Sequence, residues 1–342
     1  MRRIPLPRTR LGRVALIAPV ALAVVALAVW RGPDLSLVAD AFDFVYWRWV
    51  AAAVLLNLAS VVVRSVAWKI VLDEAVPPPS PRHRSVFAAF CVGLLANAAL
   101  PGRVGEVARV IVLTRRMRRR PGTWATVFGT VFAHRLFDVV AAVGLVVYVL
   151  YAARIPDWAV PGLAIALGIG LGLLLAALVL ARRQHRLGVD EVGPVRRVLR
   201  MGRYGLTVLK RPAPAVAALL FQVVGWTTQL FAVWAAFRAF GIDGSIPAAA
   251  LVLVLINLVM VFPLWPGNVG LVQAAIALSL LTYGVGYARG FAFGIGLQVI
   301  EASVGVALGL VFLAREGLSF AMLRRMPEAT EVDVDERVER IA

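Results

Sequence analysis

The chain has 342 residues, of which 61% are hydrophobic, a formal net charge of +17 and a mean hydropathy of +0.84. This composition excludes an ordinary soluble domain, in which about half of the residues are apolar. The basic residues stand in short segments between apolar runs, as in the cytoplasmic loops of membrane proteins, so the charge does not indicate a nucleic-acid partner. The single cysteine, Cys91, excludes an internal disulfide, and the sequence predicts neither a metal site nor a cofactor.

Six apolar segments are long enough to cross a bilayer as tilted helices, which predicts an all-α polytopic membrane protein. These segments are Val14–Trp30, Trp49–Leu72, Trp124–Tyr151, Ala159–Ala181, Ala213–Phe237 and Gly290–Ala314. A signal peptide would also fit the first segment, which follows a basic stretch. Because no small-residue cleavage site follows it, we expect a retained anchor.

Two further apolar stretches, Ser85–Leu113 and Pro247–Tyr283, are interrupted by Pro-Gly and cannot form single straight helices. Arginines flank the first stretch on both sides, so the positive-inside rule places both of its ends in the cytoplasm. Its 29 residues are fewer than the roughly 40 that two spans need. The sequence therefore predicts a re-entrant hairpin whose tip, residues 101–106, lies inside the membrane.

The order of span, broken hairpin and span occurs twice, over residues 49–151 and 213–314. A cytoplasmic N-terminus gives the two halves opposite orientations, so the second hairpin enters from the outer side and the C-terminus is cytoplasmic. Both hairpins carry the core Pro-Gly-x-Val-Gly, at residues 101–105 and 266–270. Broken segments at matching places in two inverted halves indicate the substrate site of a transporter, and a chance match of so short a motif is the alternative.

The sequence predicts one membrane domain, 1–342. Its segments outside the two halves are strongly charged. Residues 182–211 are rich in arginine, and their apolar residues recur at helical spacing. This pattern predicts either an amphipathic helix on the anionic lipids of the inner leaflet or a solvated linker helix. Residues 328–342 form an acidic tail that we expect to be disordered.

The first hairpin tip offers a site for an anionic group. The helix that restarts after Gly102 presents free N–H groups, which favour a phosphate, and Arg103 adds a positive charge. Glu106 and Arg109 follow at intervals of three residues on the same face. In the alternative interpretation, Arg103 and Glu106 only neutralise each other and stabilise the break.

Charged residues also lie near the centres of the spans, where ionisable side chains are usually functional. Arg135 and Asp138 share a helix face, so they could pair with each other or with the charges of the first hairpin. Glu301 has no counterion nearby in the sequence, and its expected partner is Arg103 or Arg135. We expect His134 to be a hydrogen-bonding member of the packing rather than a proton carrier.

The candidate substrate-binding residues are Pro101, Gly102, Arg103, Gly105, Glu106, Arg109, Arg135, Asp138, Pro266, Gly267, Gly270, Gln273 and Glu301. Arg64 lies nearer the cytoplasmic end of its span. Its charge within the span is therefore explained equally well by a side chain that extends to the membrane interface and by a substrate role.

The stretches from Asn97 to Arg109 and from Pro263 to Gln273 resemble the flippase-like family named for the transmembrane region of lysylphosphatidylglycerol synthase. The resemblance covers roughly residues 14–314. His134-Arg-Leu-Phe-Asp138 looks like a third element, with His134 in place of the family's acidic residue, and Gln273 stands where the family commonly has Glu. The resemblance implies translocation of a lipid with an anionic or modified head group, without the aminoacyltransferase domain of the bifunctional members.

Three functions remain for comparison. A flippase in the cell membrane, with a phospholipid or lipid-linked substrate as its partner, requires the charged interior that the sequence predicts. A membrane enzyme acting on a lipid-linked substrate, such as a glycosyl or phosphate transferase, requires a DxD pair, a histidine-rich ligand set or a nucleotide loop. The sequence has no such ligand set or loop, and its one DxD pair, Asp333 and Asp335, stands in the acidic tail and not at an apolar segment. An assembly factor would not require mid-membrane charges. Lipid identity, energy coupling and assembly into a homo-oligomer stay open.

Overall fold

The computed structural model describes residues 35–43, 45–100, 104–117, 123–182, 208, 211–261 and 266–315. The helices within these ranges are α1 Leu35–Asp43, α2 Trp47–Ala75, α3 His83–Ala99, α4 Gly105–Arg115, α5 Thr123–Ala152, α6 Val160–Arg182, α7 Pro212–Ala239, α8 Ile246–Val259, α9 Leu271–Leu280 and α10 Tyr287–Arg315. Short 3-10 turns cover Pro266–Asn268 and Leu281–Tyr283.

Some sequence predictions fall on parts of the chain outside the described residues. They are the span Val14–Trp30, most of the basic segment 182–211, the hairpin-tip residues Pro101, Gly102 and Arg103, and the acidic tail 328–342.

Five of the described helices, α2, α5, α6, α7 and α10, are long and apolar enough to cross a membrane. They coincide with the five predicted spans that lie in the described ranges, so the all-α polytopic fold is confirmed. A helix satisfies every backbone hydrogen bond locally, which lipid requires of a spanning segment. The side chains of Ile165, Leu171 and Leu175 on α6 are more than half exposed, as expected of a face that contacts acyl chains.

Each Pro-Gly-interrupted stretch folds into two short helices that pack against each other, α3 on α4 and α8 on α9. These helices have 17, 11, 14 and 10 residues, fewer than the roughly 20 needed to span the hydrocarbon core. The break in each stretch was therefore predicted correctly. Entry and exit through the same membrane face stays a prediction.

The centre of the bundle is an antiparallel pair formed by α2 and α7, the first helices of the two predicted halves. Three contacts join opposite ends and the middles of the pair: Tyr46 N to Ala239 O (2.9 Å), Ser60 Oγ to Gly225 O (2.8 Å) and Arg211 Nη1 to Glu74 Oε2 (3.3 Å). Antiparallel equivalent helices are what an inverted repeat requires.

The remaining helix contacts also match between the halves. The short helix α3 packs on α10 of the other half, and its counterpart α8 packs on α5. Likewise α2 contacts α10, and α7 contacts α5. The division into halves at 49–151 and 213–314 stays a prediction, and this reciprocal packing supports it.

Two apolar clusters fill opposite ends of the bundle. One contains Phe237 and Phe293 with most of α8, and the other contains Trp68, Leu95 and Leu113. Buried polar side chains contact both clusters, since Asp138 is bonded to Trp226 of the first and Thr130 to Trp68 of the second. The site is therefore held in place by the apolar packing around it.

Candidate functional site

Asp138, near the middle of α5, is the centre of a buried ion-pair cluster and is 6% exposed. Its Oδ1 accepts hydrogen bonds from Arg64 Nη2 (2.6 Å), from Trp226 Nε1 (3.1 Å) and from Gln222 Nε2. Its Oδ2 accepts from Arg135 Nη1 at 3.1 Å. The acid thus joins α2, α5 and α7 through donors that include two guanidinium groups, which compensates the cost of burying its charge.

Glu106 extends this cluster to the first broken stretch. It lies in the first turn of α4, where the helix dipole favours an acidic side chain. Its Oε1 pairs with Arg135 Nη2, and its Oε2 lies 2.7 Å from Arg109 Nη2. Arg135 therefore bridges two carboxylates, one on α4 and one on its own helix. The two pairings that the sequence offered as alternatives, with Asp138 and with the hairpin charges, both occur.

Within the described residues, this cluster has more positive than negative charge. Its members are Arg64, Arg109 and Arg135 against Glu106 and Asp138, which leaves one positive charge unbalanced. Access differs across the cluster, since the Arg135 side chain is 42% exposed and that of Asp138 is 8% exposed. The cluster is therefore more exposed at Arg135 than at its centre.

Arg109 is the most deeply buried arginine of this cluster, with 4% of its surface exposed. Its guanidinium lies over the ring of Trp68, 4.8 Å from the centroid, and 5.7 Å from that of Phe90. Although Nη2 is close to Glu106 Oε2, neither atom has hydrogen-bond geometry, and Nε also has no partner in the described part of the chain. Buried donors without acceptors are costly, so this fork is suited to an additional anion.

His134 packs beside the Asp138 cluster and belongs to the same site. Its Nε2 lies 3.2 Å from the backbone oxygen of Arg64, and its ring meets Phe90 edge to face. Its Nδ1 is 3.8 Å from Asp138 Oδ2. This arrangement agrees with the prediction of a hydrogen-bonding role in the packing.

The close approach of α3 and α4 places Glu106 and Arg109 in the cluster. Asn97 Oδ1 accepts a hydrogen bond of 2.8 Å from Gly105 N, which satisfies one of the free amides at the start of α4. A Cβ on Gly93 would lie 2.9 Å from Gly105 O, so the two backbones touch at this point. Glycine at both positions permits that contact.

The second broken stretch forms a polar cluster of amide groups instead of charges. Gln273 Oε1 accepts from Gly270 N at 2.6 Å, while its Nε2 donates to Gln298 Oε1. Gln298 Nε2 in turn donates to the backbone oxygen of Gly267. Gly267 and Gly270 have φ of 68° and 90°, values that glycine adopts without strain. This series of hydrogen bonds therefore connects the start of α9 to the middle of α10.

Glu301 lies in a third group, with α2 and α7. Its Oε1 accepts a 3.0 Å hydrogen bond from Gln229 Nε2, and Asn57 Nδ2 donates to the backbone oxygen of Glu301 at 3.1 Å. The prediction that Glu301 pairs with Arg135 was wrong, because Arg135 is paired with Glu106 and Asp138. Its other predicted partner, Arg103, is outside the described residues.

The Asp138 and Glu301 groups correspond across the two predicted halves. A spacing of 165 residues separates the two motif cores, Asn57 from Gln222, and Arg64 from Gln229. We define the Asp138 layer as Arg64, Asp138 and Gln222, and the Glu301 layer as Gln229, Glu301 and Asn57. In each layer the carboxylate lies on the last helix of one half and receives a hydrogen bond from the first helix of that half.

The structure brings some predicted site residues together and separates others. Glu106, Arg109, Arg135 and Asp138 form one cluster, whereas Gly267, Gly270 and Gln273 belong to the amide cluster and Glu301 to its own layer. Nothing is described of Pro101, Gly102, Arg103 or the Pro266 side chain.

Sequence reasoning missed the importance of Arg64, whose side chain binds Asp138 in the interior instead of extending to the interface. It also missed Gln222, Trp226, Gln229 and Asn57. The 165-residue spacing of the motif cores, applied to α2 and α7, would have identified the two polar pairs.

The comparisons with known proteins agree with this membrane architecture. The family model described as lysylphosphatidylglycerol synthase TM region matches residues 14–309. A relative described as a UPF0104 membrane protein, from Methanothermobacter thermautotrophicus, is 24% identical over 317 residues, which cover 85% of this chain and 90% of the relative. No solved structure matches the chain. Since the family model covers most of the sequence, the chain belongs to the lysylphosphatidylglycerol synthase TM region family.

Proposed function

We propose that the protein is a flippase, which moves a lipid with an anionic or modified head group between leaflets while the acyl chains stay in the bilayer. The head group passes through the charged cluster, whose ionised side chains all belong to the first half and which the second half contacts through Gln222 and Trp226. Transfer of a charged group through bare hydrocarbon is slow because the charge must lose its water. A polar path through the protein removes most of that barrier.

The observation that carries this proposal is the surplus arginine charge at the centre of the bundle. Asp138 lies 15 residues from the start of α5, which places it about 22 Å along the helix. One added negative charge, such as a phosphodiester, would balance the described cluster. Guanidinium forks bind phosphate oxygens in pairs, and Arg109 has unused donors for this.

The exposure of Arg135 suggests how the head group enters. Arg135 lies closer than Asp138 to the Thr123 end of α5, and its side chain is the more exposed of the two. That end of the helix follows the arginine-rich segment that the sequence places in the cytoplasm. A head group arriving there would meet Arg135 first and could replace Glu106 or Asp138 as its partner. In this mechanism, translocation is an exchange of ion-pair partners.

Arg109→Gln is expected to slow translocation of a fluorescent anionic phospholipid in proteoliposomes by about tenfold to a hundredfold. The reason is the loss of one charge-assisted hydrogen bond to the head group, worth about 1.5–3 kcal/mol. Arg109→Lys keeps the charge but not the planar fork, so an intermediate rate is expected. Translocation is measured by access of a membrane-impermeant quencher to the labelled lipid.

Lys69→Gln is the matched control for that experiment. Lys69 also carries a positive charge paired to a carboxylate on a spanning helix, but its partner Asp73 is 41% exposed. Wild-type rates in Lys69→Gln together with loss in Arg109→Gln would support the buried cluster as the path. Wild-type rates in folded Arg109→Gln would exclude it.

A further inference from the structure

Glu301 is a carboxyl group at the centre of a spanning helix. It lies 14 residues from each end of α10, or about 21 Å along the helix from either end. An ionised carboxylate at such a depth is costly unless a cation compensates it. The charge on Glu301 therefore depends on what faces it.

The groups that contact the Glu301 side chain are neutral. Gln229 Nε2 donates to Oε1, while the nearby Asn57 amide is bonded to the backbone oxygens of Ile300 and Glu301. In the described part of the chain, no arginine, lysine or histidine nitrogen lies within 4 Å of this carboxyl. Glu301 is also only partly buried, so water can reach it.

The charged and titratable groups of the neighbouring helices do not compensate Glu301. From α2, Arg64 interacts with it electrostatically, but the guanidinium of Arg64 is bonded to Asp138. The helix α3 presents the buried thiol of Cys91, which lies nearer Gly309, and its ionisable residues His83 and Arg84 are at its first turn.

The other helices that pack on α10 offer no closer charge. On α7 the residue facing Glu301 is Gln229, and Arg238 lies in the last turn of that helix. The helix α9 has no ionisable residue. Asp40 and Asp43 of α1, and Arg289 of α10 itself, lie toward the Tyr287 end.

Among the described residues, the Glu301 layer has no cation in the place that Arg64 takes in the Asp138 layer. In the Asp138 layer, Arg64 gives the carboxylate a permanent positive partner at 2.6 Å. The corresponding residue in the Glu301 layer is Gln229, a shorter and neutral donor. The two layers therefore hold carboxyl groups in similar places with different compensation. One has a fixed cation, and the other can be neutral only if it binds a proton or another cation.

We propose that Glu301 is a proton-binding site whose uptake and release of a proton are coupled to translocation. The O–H bond forms at Oε2, because Oε1 already accepts the hydrogen bond from Gln229. The proton comes from water that reaches the layer and returns to water on release. A metal cation fits less well, since Gln229 directs its NH₂ group, and not its oxygen, at the carboxyl. The coupling part of this proposal rests on the proposed function, whereas the protonation itself does not.

Infrared difference spectroscopy of the purified full chain in liposomes tests the protonation without any transport. The wild-type protein is expected to show the carbonyl stretch of a neutral carboxylic acid, which disappears as the pH is raised. Glu301→Gln, which has the same shape and cannot titrate, is expected to lack that signal. Identical wild-type and Glu301→Gln spectra at every pH would overturn the proposal. Loss of the signal on addition of sodium at fixed pH would overturn it too, in favour of a metal cation.

Gln229→Arg is a second variant, which keeps Glu301 and adds a cation beside it. It gives the Glu301 layer the arginine that the Asp138 layer has. The arginine should then keep Glu301 ionised over the pH range in which the wild-type signal appears, so the infrared signal should be lost there although Glu301 is present. Persistence of the signal in a folded Gln229→Arg protein would contradict the idea that the missing cation is what lets Glu301 bind a proton.

Transport measurements separate this proposal from the proposed function. In proteoliposomes, a pH gradient is expected to accelerate wild-type lipid translocation, and Glu301→Gln should lose that response. If the infrared signal is present but no lipid moves in any preparation, the flippase function fails and the proton site stands. If lipid moves and the pH gradient affects wild type and Glu301→Gln equally, the coupling of protonation to translocation is contradicted, while the flippase function and the proton site both stand.

Discussion

Asp138→Asn is expected to abolish lipid translocation and to lower the free energy of unfolding by about 3–5 kcal/mol. The variant leaves Arg64 and Arg135 without the carboxylate that both of them contact, at a place where 8% of the Asp138 side chain is exposed. Removal of one partner of a buried pair exposes the other charge to a low dielectric without compensation. Unfolding in mixed detergent micelles and translocation in proteoliposomes measure the two effects.

Asp73→Asn is the control for Asp138→Asn. It makes the same chemical change in an acid that pairs with Lys69 four residues away, on a surface where solvent screens the pair. Such a pair contributes about 0.5 kcal/mol or less. Comparable losses in both variants would contradict a special role of the buried cluster.

A double variant, Arg64→Gln with Asp138→Asn, tests the reason for the instability. It removes both charges of the 2.6 Å pair and leaves two neutral amide groups. Stability should then recover in part relative to Asp138→Asn alone, because no unpaired charge from this pair stays buried. Translocation should stay lost, since Arg64 is part of the proposed path. Recovery of both stability and translocation would show that the Arg64–Asp138 pair is not needed for translocation.

Gly105→Ala is expected to destabilise the protein by about 1–3 kcal/mol and to reduce translocation strongly. A methyl group there would overlap the backbone oxygen of Gly93 and the side chain of Asn97. Since a backbone oxygen in the middle of α3 cannot move aside, α4 must shift. Glu106 follows Gly105 directly, so the shift displaces it from Arg135. Loss of function should therefore exceed what the loss of stability alone explains.

Gly172→Ala is the matched control for this substitution. It adds the same methyl group to a helical glycine of α6, where nothing lies within 4 Å of the new atom. Alanine is the better helix former, so stability should stay the same or rise by up to about 1 kcal/mol. A stable and fully active Gly105→Ala protein would contradict the close packing of α3 on α4.

The sequence predicted the spans well because crossing a membrane depends on a local property. Trp49–Leu72 was expected and Trp47–Ala75 is observed, a difference of two and three residues at the ends. The interruptions of the two shorter stretches were also predicted, because proline and glycine act on their own backbone. The ends of a spanning helix are predicted less precisely than its presence, since the last turns of the helix extend into the membrane interface.

The partners of the charged residues were predicted less well. Arg135 with Asp138 was found because both lie on one helix face, three residues apart. Arg64 was misjudged because its depth in the span says nothing about Trp226 and Gln222, which reach Asp138 beside it from α7. Of the two partners predicted for Glu301, Arg135 was wrong for the same reason, and Arg103 lies outside the described residues. Its actual neighbour, Gln229, is 72 residues away in the chain.

The all-helical membrane fold, its two broken stretches and the charges at mid-span follow from the sequence alone. Hydropathy and backbone constraints act residue by residue, so they can be read without knowing which helices meet. The sharing of one cluster by three arginines and two acids, and the contact of Glu301 with an amide, are seen only in the folded protein. Those contacts depend on the antiparallel register of α2 against α7 and on the rotation of each helix, which many distant residues fix together.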